Sequence, residues 1–172
     1  QGLVEYQPYK PVTLTGKGCE HAIAMVRRHR LLESFLAASL GYSWDEVHAE
    51  AERLEHAASD ELIERIDQML GHPTHDPHGD PIPSASGRVD TPAAVPLTGV
   101  QPGRTATIER IADDDPKLLQ FFDSHGLVVG ATLEVGEGAP YSGAVAVRLA
   151  GAAEAVPLGE EATDSVFVRV DA

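Results

Sequence analysis

Val47-His48-Ala49-Glu50-Ala51-Glu52-Arg53-Leu54-Glu55-His56 decides how the front half of this 172-residue chain is read. At about 100° per residue, His48, Glu52, Glu55 and His56 fall within one helical arc of roughly 100°. Buried dry, two imidazoles and two carboxylates on one face would leave lone pairs unsatisfied, and at low pH the imidazoles would repel. A divalent cation resolves both problems, because it takes several nitrogen and oxygen donors converging from one side. His29 and Glu33 repeat the i, i+4 spacing upstream and could add ligands from a neighbouring helix. Taken singly, each of these six residues reads first as part of a solvated polar face; the six together on two adjacent helices point to metal.

The surrounding sequence frames that stretch. Leu3-Val4-Glu5-Tyr6 and Val12-Thr13-Leu14-Thr15 are β-prone and flank a Pro-containing turn, which predicts a short hairpin. Ala22, Met25, Val26, Leu32, Phe35 and Leu36 then form the apolar stripe of a long helix that closes at Gly41. Ser43-Trp44-Asp45-Glu46 has the pattern of a capping box for the next helix, which is expected to run to about Ala58. Ser59 caps a third helix, whose Leu62, Ile63, Ile66, Met69 and Leu70 make an amphipathic face stopping at Gly71. Leu62, Ile66, Met69 and Leu70 form an apolar face that so small a domain cannot cover alone, which predicts a dimer.

Pro73, Pro77, Pro81, Pro83, Pro92 and Pro96 change the texture of the chain and predict an extended linker. His72, His75 and His78 crowd its start and are read mainly as linker residues. Short alternating segments follow at 105–108, 132–135, 144–147, 154–157 and 166–170, with a brief helix at Pro116–Ser124. Five strands in so short a span predict a small β-barrel.

Composition narrows the function classes. The net charge is −14, yet residues 1–30 carry Lys10, Lys17, Arg27, Arg28 and Arg30 against Glu5 and Glu20. That is a balance of +3 at one end and −17 in the remainder, so any nucleic-acid contact is expected from the N-terminal end. Cys19 is the single cysteine, which excludes an intrachain disulfide and fits a reducing cytoplasm. No run of 18 apolar residues occurs. The opening Gln1-Gly2-Leu3-Val4 is neither a signal peptide nor a natural beginning, and the chain reads as the remainder of something longer.

Together these segments resemble the diphtheria toxin repressor family of bacterial metal-dependent transcriptional repressors, in particular its manganese-responsive branch. The resemblance is carried by Thr13-Leu14-Thr15-Gly16-Lys17-Gly18, Arg28-His29-Arg30-Leu31-Leu32-Glu33, the 47–56 stretch, and Asp76-Pro77-His78-Gly79-Asp80-Pro81-Ile82-Pro83. It implies an α+β chain: the wing of a winged helix-turn-helix over residues 1–18, a helical metal-binding and dimerisation domain over 19–71, a proline-rich linker over 72–95, and an SH3-like barrel over 96–172. It also implies that Glu52, Glu55 and His56 form the primary, activating metal site, and that His29, Glu33 and His48 form an ancillary one. In several relatives the ancillary site is completed from the barrel, where Glu109 and Asp113 are the nearest candidates. Iron-responsive members place Cys where this chain has Glu52, and a hard carboxylate suits Mn²⁺ better than a thiolate does.

The expectation is therefore a cytoplasmic homodimeric repressor that binds double-stranded operator DNA with Mn²⁺ as corepressor, or, as the alternative, Fe²⁺. Its rivals are a metalloenzyme and a metal buffer or carrier. HExxH is absent, and Arg53 stands where a di-iron Glu-x-x-His motif would need Glu.

Overall fold

The computed structural model describes residues 2–90, 93–139, 141 and 143–171. The chain divides into two compact units, one of residues 1–42, 47–76 and 81–90, the other of 43–46, 77–80 and 91–172. Among the described residues no helix is long and apolar enough to cross a membrane.

The first unit opens with a two-stranded antiparallel hairpin, β1 (Val4–Glu5) and β2 (Thr13–Leu14). It lies close against the start of α1 (Gly16–Leu40): a Cβ on Gly18 would sit 1.9 Å from the Leu3 carbonyl oxygen, so only glycine fits there. The Thr15 side chain caps α1 by accepting from the Gly18 amide at 3.0 Å, so the helix begins before residue 19. Gly41 ends it with φ 73°, a left-handed conformation that glycine adopts without penalty. α2 (Val47–Glu55) and α3 (Asp60–Met69) complete the helical layer, with Ser59 capping α3 through the Leu62 amide.

Leu31, Leu32 and Leu36 of α1 meet Val47 and Ala51 of α2, Ile63 and Ile66 of α3, and Ile82. Burying each of the leucines or isoleucines contributes about 1.5–3 kcal/mol. The core draws on the second half of α1, while Val26 stays 39% exposed. Ile66 faces this core and not solvent; the expected outward face reduces to Leu62 and Met69, with Leu70 half-buried.

The proline-rich segment departs from the expected extended linker. Pro81, Ile82 and Pro83 are buried, and Arg30 and Arg27 donate to the Pro81 and Pro83 carbonyls at 2.6 and 2.9 Å. Proline cannot donate to a ladder, but its carbonyl still accepts, and two arginines one turn apart on the same face of α1 use that. Thr91 and Pro92 lie outside the described residues.

The second unit is a six-stranded antiparallel sheet in the order β3-β8-β4-β5-β6-β7. Its strands are β3 (Val95–Pro96), β4 (Thr105–Ile111), β5 (Thr132–Glu137), β6 (Val145–Leu149), β7 (Val156–Leu158) and β8 (Val166–Val170). α4 (Pro116–Ser124) and a short α5 (Glu160–Ser165) join them. Phe122, Leu119, Leu127, Leu133, Val135, Val147, Leu158 and Val168 fill its core. The sequence reading lacked β3 and α5. It also ended β4 at Ile108, because an irregularity between Ile108 and Arg110 breaks the alternation there.

Candidate metal centre

α1 and α2 pack side by side, and their facing turns bring His29, Glu33 and His48 together. His29 Nε2 lies 3.0 Å from Glu33 Oε1 and 3.2 Å from His48 Nδ1, and His48 Nδ1 is itself 3.2 Å from Glu33 Oε1. The i, i+4 spacing on α1 stacks the first two, and the crossing of α2 supplies the third. Glu33 is buried, with its side chain 1% exposed, and its Oε2 has no hydrogen-bond partner among the described residues.

The donor set fits a divalent cation. Ligands about 2.1 Å from a six-coordinate ion stand about 3.0 Å apart along an octahedral edge, close to the three separations here. A buried carboxylate oxygen without a donor is costly, and a cation relieves that cost. Two imidazoles and a carboxylate, with no thiol, also form a hard-to-borderline set.

Without a cation the same contacts are held by protons. Burial opposes charging of the His29 ring, but hydrogen bonds and charge from Glu33 and then Glu55 outweigh it, and the pKa rises from 6.5 to about 9. His29 therefore sits between two carboxylates as an imidazolium at neutral pH.

The second expected cluster is looser. Glu55, half-buried near the end of α2, turns its Oε2 to His29 Nδ1 at 2.7 Å, and its Oε1 lies 3.3 Å from His56 Nε2. His56 is 78% exposed. Glu52 is exposed on α2 and makes no hydrogen bond or ion pair among the described residues. The geometry thus joins Glu55 to the His29 cluster and leaves Glu52 apart. Arg28 holds the end of α2 by donating to the main-chain oxygens of Glu55, at 3.1 Å, and Ala58, and it also pairs with Asp60.

Asp76 was not singled out by the sequence reading. It is buried, 3.6 Å from Arg30 Nε, and one of its carboxylate oxygens lies within 4.8 Å of one from Glu33. Only its place in the Asp76–Pro83 motif hinted at a role. His72 meets Asp67 at 2.7 Å and His75 meets Thr74, as linker residues could. His78 does not behave as a linker residue: it is fully buried in the second unit, donating from Nε2 to the Trp44 carbonyl at 2.6 Å and stacking on the Trp44 ring. In that unit Glu109 pairs with Arg169 at 2.8 Å, and Asp113 lies 3.9 Å from His78 Nδ1.

Comparison with known proteins gives this arrangement a lineage. Residues 15–84 match the iron dependent repressor metal binding and dimerisation domain, and residues 95–170 match the FeoA domain. The iron-dependent repressor IdeR of Mycobacterium tuberculosis is 44% identical over 82 residues, covering 48% of this chain and 36% of the relative. The diphtheria toxin repressor of Corynebacterium glutamicum is 30% identical over 144 residues, 78% of this chain and 63% of that protein. The chain thus spans about a third of the length of the first of these curated relatives. Among solved structures, a manganese-dependent transcriptional repressor in complex with manganese superposes with TM-score 0.90 at 49% identity, over 97% of this chain and 77% of that one. The manganese regulator SloR does so with TM-score 0.82 at 32% identity, over 99% and 78%. These relatives are repressors and not enzymes, and manganese and iron both appear among them. With half of its sequence and nearly all of its fold shared in this way, the chain belongs to the diphtheria toxin repressor family of metal-dependent transcriptional repressors.

Proposed function

We propose that this chain is the metal-sensing and dimerising part of a cytoplasmic, manganese-activated transcriptional repressor. His29, Glu33 and His48 hold one divalent cation, and Glu52, Glu55 and His56 contribute to a second. The observation that carries this reading is the convergence of His29 Nε2, Glu33 Oε1 and His48 Nδ1, with the second oxygen of the same buried carboxylate, Glu33 Oε2, left without a donor among the described residues. Bound there, the cation supplies the positive charge that a proton on His29 otherwise provides. His29 and Glu33 on α1 and His48 on α2 then tie the two helices together, favouring one arrangement of the pair over others. At a hundred times its dissociation constant, a ligand selective for one state stabilises it by about 2.7 kcal/mol.

Manganese is put ahead of iron because Glu52 offers a hard carboxylate where iron-responsive members of the family place a thiolate. Cys19, the chain's only thiol, lies exposed near the start of α1. The resemblance of residues 1–18 to a wing and the basic balance of residues 1–30 support DNA contact at the N-terminal end, and operator binding as a homodimer is proposed on the family pattern. The test is a titration of Mn²⁺, Fe²⁺, Co²⁺ and Zn²⁺, without oxygen, into a form of the protein carrying the helix-turn-helix, with promoter DNA. Mn²⁺-dependent binding abolished by Glu55→Ala or His56→Ala, and weakened by His29→Ala or Glu33→Ala, supports the reading. DNA binding indifferent to metal overturns it.

A further inference from the structure

Glu55 touches both clusters. Its side chain is 15% exposed, with Oε2 2.7 Å from His29 Nδ1 and Oε1 3.3 Å from His56 Nε2. The other nitrogen of His29, Nε2, is the one aimed at Glu33 and His48. An imidazole that ligates through Nε2 must keep its proton on Nδ1. A carboxylate at Nδ1 holds that proton, fixes the ring and raises the basicity of Nε2. Arg28 adds the mechanical part, because its bonds to the Glu55 and Ala58 carbonyls pin the end of α2 to α1.

We propose that Glu55 is a positioning residue for the His29–Glu33–His48 cluster, holding His29 in the Nδ1–H form, and that the same carboxylate links that cluster to His56. The inference rests on the proposed cation at His29, Glu33 and His48. Its consequence is specific: a residue that gives the cluster no ligand atom sets the cluster's affinity, and the two sites share one carboxylate.

The experiment uses the whole chain carrying His56→Ala, so that Mn²⁺ uptake reports the His29 cluster, with Mn²⁺ followed by electron paramagnetic resonance. Glu55→Ala removes the acceptor and is expected to weaken Mn²⁺ binding about 10- to 100-fold. Glu55→Gln keeps an oxygen that accepts from Nδ1–H and is expected to lose less than about tenfold. In the Zn²⁺-loaded protein labelled with ¹⁵N-histidine, the His29 Nδ1–H proton should lie far downfield. It should move upfield in Glu55→Gln, because a neutral amide is the weaker acceptor. That shift is read in a folded, conservative variant, so it decides the matter even if Glu55→Ala fails to fold. An unmoved His29 proton in Glu55→Gln, or Mn²⁺ affinity in Glu55→Ala within about threefold of the parent, overturns the proposal. If the parent itself takes up no Mn²⁺, the cation reading falls first and the inference falls with it, a result distinguishable because it precedes any change at Glu55.

Discussion

The proton on His29 makes the metal-free chain lose stability as pH rises, while its metal affinity climbs. The imidazole has a pKa of about 9 in the folded chain against 6.5 ordinarily, because the pull of Glu33 and Glu55 exceeds the burial cost. A folded value above the unfolded one means the stabilisation is complete below pH 6.5 and is lost as pH passes through about 9. The full difference corresponds to about 3 kcal/mol. Solvent reaches a ring left 17% exposed, so about 1–2 kcal/mol is the expected loss. Urea unfolding in the presence of a chelator, at half-unit steps from pH 6 to 9.5, measures it for the natural chain and for His29→Gln. The difference between the two should shrink over that window. Mn²⁺ affinity should move the opposite way, rising about tenfold per pH unit up to about pH 9, since one proton must leave Nε2 before it can ligate. This places the proton competition well above the ordinary histidine range near 6.5 that sequence alone suggests. If the two chains differ by a constant amount across the window, the imidazolium between two carboxylates is wrong.

Other perturbations separate scaffold from site. Arg28→Ala removes the charged donor to two carbonyls at the end of α2 and should cost about 1.5–3 kcal/mol in thermal unfolding, with metal affinity falling because Glu55 is freed. Gly79→Ala would put a Cβ 2.0 Å from the Glu109 carbonyl oxygen at φ 87°, so the second unit should lose about 3 kcal/mol or more, measured by hydrogen exchange of β4. Leu62→Glu with Met69→Glu, at 47% and 59% exposure, should turn a dimer in sedimentation equilibrium into a folded monomer. An unchanged mass would place the dimer contact elsewhere.

Much of the architecture was legible because the punctuation is local. Ser59 capping α3, Gly41 ending α1, and Pro116 opening α4 after Asp115 are each decided within four residues, and the structure has all three. What was not legible depends on distant partners. Prolines 81 and 83 look like linker until Arg27 and Arg30, more than fifty residues away, are seen donating to their carbonyls. The β4 irregularity conceals Ile111 as a core residue, since period two places it outward. α5 has six residues and no side-chain cap, too little for periodicity to detect.

The candidate metal residues show the same division more sharply. Helical spacing brings His29 to Glu33 and sets His48, Glu52, Glu55 and His56 on one face, but it cannot say how far each lies from α1. Helix packing decides that: His48 and Glu55 are seven residues apart, two turns on the same side of α2, and both reach His29. Glu52, at about 40° from His48 by its spacing and one turn along, faces solvent. A single imidazole on α1 therefore receives both turns of α2, one at each ring nitrogen. The grouping that the family resemblance implies sets Glu55 apart from His29, whereas the packed helices make them neighbours. This contact is what spacing alone could not supply, and it is why substitutions at Glu55 should register at both proposed sites.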